Sequence, residues 1–407
     1  MPRRELPRWS DVGPLLNLRL PELNPVRRRL ANAHTVADLR TLARRRTPRS
    51  VFDYVDGAAE GEHGIRAARA AFRGLVFHPR VLRDVSTVDT SRHVLGERAE
   101  LPLVLAPTGF TRMMHHEGEV AVARAAARHG VPYTLSTMGT TSVEDLAAAV
   151  PQGRRWFQLY LWRDREASRE LIERARSSGY DTLVLTVDTP VAGSRLRDVR
   201  NGLTIPPRLG PRTLADMARH PAWWLNLLTT GPLEFASLRH WQGTVADLVD
   251  HMFDPSASLA DLRWLRENWD GQLVVKGIQH VEDAHAVVDL GADGVVVSNH
   301  GGRQLDRAPL PLALLPVVVG EVGDRAEVFL DTGVLSGADV VAAVALGASA
   351  VLVGRCYLYG LMAGGERGVD RALDILATEV RRTLRLLGVS TVDDLTPGHV
   401  ALGTAQH

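Results

Sequence analysis

A chain of 407 residues, 45% of them hydrophobic, with a formal net charge of +1, is long and apolar enough to bury a large core. That balance carries no basic footprint of a nucleic-acid binder, and the single cysteine, Cys356, excludes an internal disulfide and suits a reducing, cytoplasmic compartment. The longest uncharged run, residues 340–354, is too short to cross a bilayer and reads as a helix followed by a buried strand. The N-terminal stretch is rich in arginine (Arg3, Arg4, Arg8, Arg27 to Arg29, Arg44 to Arg46), which predicts a solvated face, and it lacks the apolar run of a signal peptide. Residues 1–98 are expected to form a helical cap. Eight short apolar runs follow at 101–107, 133–136, 156–160, 182–188, 273–277, 294–299, 328–333 and 350–355. Segments rich in Ala, Arg, Glu and Asp, such as 117–128 and 167–177, separate most of them. This alternation predicts an α/β fold with a parallel sheet, and eight repeats predict a closed (β/α)8 TIM barrel over residues 99–390. After strand four, residues of about 191–266 are too long for a crossover and carry Pro206, Pro207, Pro211, Pro221 and Pro232, so they read as an insertion. Residues 391–407 form a C-terminal tail.

The most informative stretch is Ser298-Asn299-His300-Gly301-Gly302-Arg303-Gln304-Leu305-Asp306, directly after the β-branched run that starts at Gly294. It places His300 and Arg303 at the C-terminal end of a barrel strand, where such barrels hold their chemistry. A histidine takes a proton near neutral pH, and an arginine forks onto a carboxylate. The pair suits oxidation of a 2-hydroxy acid; a polar loop with a Gly-Gly turn is the bland alternative. Among 48 Lys and Arg residues only Lys276 is a lysine, and it ends an apolar run, which argues for a buried position. The other strand ends offer Ala106, Pro107, Thr108 and Gly109; Ser136 and Thr137; Gln158 and Tyr160; Thr186 and Asp188, with Arg195 beyond. Strand seven gives Asp331, Thr332 and Gly333, with Gly337 following, and strand eight gives Gly354 and Arg355. Loops after strands seven and eight are the usual phosphate site of these barrels, so a phosphate-bearing cofactor is expected there. No metal-ligand pattern is read.

These motifs resemble the FMN-dependent 2-hydroxy acid dehydrogenase/oxidase family over about residues 35–399. The SNHGGRQLD stretch is the most specific, supported by FDYVDGAAE at 52–60, WFQLY at 156–160, LTVDTP at 185–190 and VKG at 275–277. LRTLARRRTPRSVFDY at 39–54 and LDTGVLSGAD at 330–339 look most like actinobacterial, quinone-linked L-lactate dehydrogenases. The resemblance implies FMN as cofactor and His300 as the group that takes the hydroxyl proton, with Asp188 stabilising its charged form. It implies that Arg303 and Arg195, helped by Tyr54, bind the carboxylate, and that Tyr160 meets the hydroxyl oxygen. Lys276 would face the flavin N1/O2 edge. Ala106, Pro107, Thr108, Ser136, Gln158, Thr186 and Ser298 would surround the isoalloxazine, and Asp331, Gly333, Gly337, Gly354 and Arg355 the ribityl phosphate. Two departures stand out. Many relatives carry an arginine where this chain has Leu335 and Ser336, and the cap reads Gly57-Ala58-Ala59 where a second glycine is common.

Gly109, Met138 and Ala192 should line the substrate tail. Glycolate oxidases carry alanine and tryptophan at the first two, so this lining leaves room for a methyl group or more and points to a dehydrogenase. The expected reaction is oxidation of L-lactate, or a close L-2-hydroxy acid, with electrons passing to quinone or another carrier. An oxidase or mandelate-type enzyme for a bulkier acid is one alternative; a non-redox phosphate-binding barrel is another. Relatives attach to membranes through the insertion, here rich in apolar residues (Trp223, Trp224, Leu225, Leu227, Leu228, Phe235). A peripheral contact through about 221–235 on the cytoplasmic face is expected, or else packing of those tryptophans onto the barrel or a neighbouring subunit. A homo-oligomer, with a tetramer as the working number, completes the expectation.

Overall fold

A computed structural model describes residues 6, 8–13, 22–203, 210–236 and 254–403 of the chain. Eight strands, β1 (Leu103–Leu105), β2 (Tyr133–Ser136), β3 (Arg155–Leu159), β4 (Thr182–Thr186), β5 (Gln272–Ile278), β6 (Gly294–Val297), β7 (Glu327–Leu330) and β8 (Ala350–Val353), close into one parallel barrel. β8 returns to β1 through Val351 opposite Leu103. Both faces of these strands are covered, which is why they read as nearly unbroken apolar runs. Val104, Trp156, Val184, Val274, Val296, Phe329 and Leu352 fill the interior. Trp156 meets Phe329 edge-on at 5.9 Å, and a Cβ at Gly294 would stand 2.9 Å from the Phe329 ring, so only glycine leaves that ring its space. Outside, the helices are started by side chains that satisfy free N–H groups: Ser142, Asp164, Ser258 and Ser336 cap Val143–Ala149, Arg165–Ser177, Leu259–Glu267 and Gly337–Ala345.

The expected strands are all found, but most run past the observed ladders at their C-terminal ends. Pro107, Asp188, Asn299, Gly333 and Arg355 lie beyond the last paired residue. The expectation counted them because they continue a short, low-charge run; they leave the ladder because their side chains or carbonyls serve the mouth of the barrel.

The N-terminal segment covers both ends of the barrel. Helices Val36–Arg46, Arg49–Asp56 and His63–Arg73 form the cap at the C-terminal face. The hairpin of Arg92–Val94 and Glu97–Ala99 plugs the opposite mouth. Val94, Leu95 and Ala99 join the interior cluster, and Leu95 N–H donates to Glu327 Oε1 at 2.6 Å. The tail returns to this segment, where Val400–Ala401 pairs with Val76–Phe77. Within the insertion the described residues form helices Leu196–Arg200, Pro211–Ala218 and Pro221–Leu228, while Leu259–Glu267 buries Leu262 and Leu265 ahead of β5. Pro206 and Pro207 lie outside the described residues, as do Arg3, Arg4 and residues 404–407.

Candidate active site

A cavity of about 1360 Å³ opens at the C-terminal ends of the strands. Strand register decides what stands together in it. Ser136 lies opposite Gln158, and Thr186 opposite Lys276. The β5–β6 register slips between Lys276 and Ile278, at Gly277, whose φ is +111°. A Cβ there would stand 2.7 Å from Asp188 Cβ, so the glycine lets the β4 end close on the β5 end.

Asp188 has a 1% exposed side chain and accepts from His300 Nδ1 at 2.8 Å. Burial alone would raise its carboxyl, but His300 and Lys276 outweigh that and hold it below the ordinary carboxylate range. Nδ1 is thereby fixed as the donor, which leaves Nε2 as the ring atom able to take a proton. His300 sits at φ +58° and Thr332 at φ +80°, conformations unfavourable for non-glycine residues, above all a β-branched one. The loop holds them: His300 N–H donates to Ser298 Oγ at 3.0 Å, and Gly301 N–H to Thr332 Oγ1 at 2.9 Å.

Lys276 is buried at 4% exposure. Its Nζ stands 3.0 Å from Asp331 Oδ2 and 3.2 Å from Ser298 Oγ. Burial pulls its pKa down, yet Asp331 and Asp188 more than compensate, so it is held above the usual lysine range and stays charged. The arginines gather around Tyr54 from the cap. The guanidinium carbons of Arg195 and Arg303 stand 5.1 and 5.0 Å from its ring centroid. Arg303 also donates to the Tyr54 carbonyl at 2.6 Å. Burial first, and the like charge of Arg195 next, push Arg303 down to about 10, an electrostatic strain that a bound anion relieves. Burial pushes the Tyr160 phenol up, so it remains a neutral donor.

Gly109, Met138, Tyr54, Ala106, Pro107 and Thr108 line the cavity, as do Ser136, Gln158, Tyr160, Thr186 and Ala192. So do Arg195, Lys276, His300, Arg303, Asp331, Gly333, Gly354 and Arg355. Asp188 and Ser298 lie just behind, in contact with His300 and Lys276. Gly337 does not fit the expectation. Its N–H donates to Glu379 Oε2 at 2.7 Å, and a Cβ on it would meet Val380 N at 2.4 Å, so it packs against helix Glu366–Leu387 and away from the cavity. Arg355 spends Nε on the Val55 carbonyl and Nη2 on those of Gly57 and Gly301, and so ties the cap to the His300 loop. Trp223 is half-buried, with its indole N–H on the Met113 carbonyl at 2.8 Å, so it packs on the barrel. His115, His116 and Glu117 bring ligand-type atoms within 4.8 Å of one another, but the Glu117 carboxylate already accepts from Glu366 N–H at 2.6 Å.

Three residues escaped the sequence reading. Gln304 donates to the Asp188 and Val191 carbonyls at 3.2 and 2.9 Å and accepts from Gly193 N–H at 3.0 Å, which couples the His300 loop to the Asp188 loop. It lies inside the quoted motif, so its position was visible and its partners were not. Arg197, two residues beyond Arg195, binds Asp53, Asp56 and Glu62 of the cap. Arg69 reaches the Gly333 carbonyl and pairs with Asp339 at 2.8 Å. Neither arginine stands out in a chain where arginine is the common cation.

Comparison with known proteins agrees with this architecture. The family model described as FMN-dependent dehydrogenase matches residues 43–402. A Mycobacterium tuberculosis protein provisionally named an L-lactate dehydrogenase is 58% identical over 98% of this chain and 96% of its own length. The L-lactate dehydrogenase of Caulobacter vibrioides is 45% identical over 88% of this chain and 95% of its own. The crystal structure of the monotopic membrane protein (S)-mandelate dehydrogenase superposes with a TM-score of 0.88 at 40% identity, covering 91% of this chain and all of that one. A match over the whole barrel and much of the cap, together with relatives of this identity, makes the chain a member of the FMN-dependent dehydrogenase family, an oxidoreductase whose cofactor is FMN.

Proposed function

We propose that this protein oxidises L-lactate, or a close L-2-hydroxy acid, to the 2-oxo acid and passes the electrons to a quinone or another carrier. The observation that carries the reading is the Asp188–His300 pair at 2.8 Å in one cavity with Arg195, Arg303 and Tyr54. The residues fit FMN. Gln158 Nε2 and Thr186 Oγ1 are buried without a partner, as a heteroaromatic ring edge requires. Gly354 heads helix Arg355–Gly364 with no side-chain cap, which leaves N–H groups for a phosphate. FMN, when bound, accepts the α-hydrogen together with its electron pair. The chain's own residues do the rest. Arg303 and Arg195 clamp the carboxylate, with Tyr54 between them in charge and shape. Tyr160 donates to the hydroxyl oxygen, and His300 Nε2 takes the hydroxyl proton while Asp188 stabilises the imidazolium. Lys276 sets a fixed positive charge where the cofactor ring gains negative charge. Ala106, Pro107, Thr108, Ser136 and Ser298 support the ring, and Asp331, Gly333 and Arg355 the ribityl phosphate end.

Membership of the family removes the non-redox alternative. A mandelate-type substrate is supported by one feature: Leu233 and Phe235 of the insertion and Phe110 also line the cavity, with the two phenylalanine rings 4.4 Å apart, an apolar wall suited to an aryl tail. Gly109 speaks for the smaller acid, because a Cβ there would already meet Met138 Cβ at 2.9 Å, so Met138 occupies the space that glycine leaves. Adding L-lactate, then (S)-mandelate, to the anaerobic yellow protein decides between them. L-lactate should bleach the flavin, and a quinone analogue should restore the colour faster than oxygen. Failure of every 2-hydroxy acid to bleach it would refute the reading.

The same reading extends to location. Among the described residues no helix is long and apolar enough to cross a membrane. Helix Pro221–Leu228 exposes Leu225 and Leu228 at 49% and 75%, and these offer a peripheral contact on the cytoplasmic face. A cap of residues 1–98, a barrel of 99–390 with the 191–266 insertion, a tail of 391–407 and a homotetramer complete the proposal.

A further inference from the structure

The loop after β7 contributes no cation of its own to the phosphate end of the cavity, since it runs Gly333, Val334, Leu335, Ser336. Two backbone donors in and just after this loop are taken by carboxylates. Leu335 N–H goes to Asp339 Oδ2 at 2.8 Å and Gly337 N–H to Glu379 Oε2 at 2.7 Å. The N-terminus of helix Gly337–Ala345 is therefore partly occupied already, by Glu379 on Gly337 N–H and by the Ser336 hydroxyl on Asp339 N–H. Arg355 carries one charge toward that corner, but its Nε and Nη2 serve three carbonyls. A phosphate carrying nearly two charges needs more. The remaining cations at this end come from elsewhere. Arg66, Arg69 and Arg73 stand at i, i+3 and i+7 on helix His63–Arg73, one face of it, and all three line the cavity. That helix lies hard against the loop, because a Cβ on Gly333 would meet the Phe72 ring at 3.1 Å and Ala68 Cβ at 3.3 Å. Arg69 bonds the Gly333 carbonyl and cancels Asp339 at 2.8 Å.

We propose that the cap helix His63–Arg73 supplies the cationic half of the phosphate site for FMN, with Arg69 as the inner contact and Arg66 and Arg73 as an outer positive field. The inference rests on FMN being the cofactor, and it adds that the cap and the barrel share the site. Arg69 acts twice: it neutralises Asp339, and it turns its remaining N–H groups toward the phosphate. Arg66 and Arg73 are exposed and act through space.

The test compares FMN with riboflavin, which lacks only the phosphate. The full-length protein is stripped of flavin and titrated with each, reading the quenching of flavin fluorescence. Arg69→Gln should weaken FMN binding roughly ten- to a hundred-fold, the range for a charge-assisted hydrogen bond, and leave riboflavin within about two-fold. Arg73→Gln, at an exposed position, should weaken FMN about two- to five-fold and flatten its dependence on salt, again without touching riboflavin. Leu335→Arg placed on Arg69→Gln should recover FMN binding. Equal losses for both flavins in Arg69→Gln would make Arg69 a structural clasp and overturn the proposal. An FMN-to-riboflavin ratio unchanged in Arg73→Gln would remove the outer field and overturn that half. Wild type that binds neither flavin would instead sink the cofactor assignment, a different result from wild type that binds both equally, which defeats only this inference.

Discussion

Lys276→Met removes the only ammonium side chain of the protein and separates two effects that the structure joins at one atom. Nζ lies 3.0 Å from Asp331 Oδ2, so at an effective dielectric of about 20 the attraction is about 5.5 kcal/mol before desolvation is subtracted. Methionine of similar length fills the space but leaves the Asp331 carboxylate, 14% exposed, without its cationic partner and with only the Ser298 hydroxyl and Thr332 N–H to bond it. Stripping one member of a buried pair costs about 3–5 kcal/mol, so the variant should unfold at distinctly lower urea. The sign with pH follows from the raised value of Lys276: its contribution is complete below the ordinary 10.5 and is lost only as pH climbs through the folded value, so at neutral pH the whole deficit shows. The second effect is electronic. A fixed charge beside the ring is worth about 2–3 kcal/mol in the reduced state, or about 40–65 mV for a two-electron couple, and the flavin potential should fall by that amount. The affinity for sulfite, which also leaves the ring anionic, should fall with it. Lys276→Met with Asp331→Asn separates the two: stability should return while the potential stays low. A wild-type potential in Lys276→Met would refute the placement of this lysine against the ring, and recovery of both properties together would mean that Lys276 serves only to neutralise Asp331.

His300→Gln should keep flavin bound and lose on the order of 10²–10⁴-fold in turnover, as loss of a general base does; stopped-flow bleaching that stays near wild type would remove His300 from that role. Arg303→Lys keeps the charge and loses the fork, so oxalate, a carboxylate inhibitor, should bind markedly less well, and an unchanged oxalate titration would contradict the clamp. Leu225→Ser with Leu228→Ser should move the protein from the membrane pellet to the supernatant with dye-linked activity intact. If the wild type is already in the supernatant and ignores lipid vesicles, this helix has a packing or assembly role. Asp188, held below the ordinary carboxylate range, contributes stability above the unfolded value near 3.8 and loses it as pH falls further, so Asp188→Asn should flatten the acid end of the stability curve, and an acid limb as steep as in wild type would argue against the pairing.

The barrel was legible because its signal is repetitive: a β-branched or aliphatic run recurs eight times, with helix-compatible segments between most of the runs. Strand ends were overdrawn because residues such as Asp188 and Arg355 prolong the run in sequence while turning out of the sheet in space. His300, Arg303 and Lys276 were legible for another reason, since each is a costly residue directly after an apolar run. The contacts that hold the site together came from far along the chain. Tyr54 accepts from Arg303 across 249 residues, and Arg69 reaches Asp339 across 270. Nothing local marks such pairs, and an abundance of arginine hides the few that matter. Gly337 misled for a related reason: a glycine after a phosphate-type loop can serve close approach to a ligand or to a helix, and here helix Glu366–Leu387 occupies the space.

The hairpin under the barrel has a kinetic meaning. Among the described residues, Val94, Leu95 and Ala99 pack against the interior side chains at the lower mouth, so the cavity opens at the other end, at the C-terminal ends of the strands. On the proposed function, cofactor, hydroxy acid, oxo acid and electron acceptor would all share that doorway. On the proposed assignment, an acceptor that must come near the ring would meet the product still held between Arg195 and Arg303, so the two half-reactions would take turns. Initial rates measured against both substrates should trace parallel lines in a double-reciprocal plot, and high concentrations of the acid should slow turnover by closing the doorway to the acceptor.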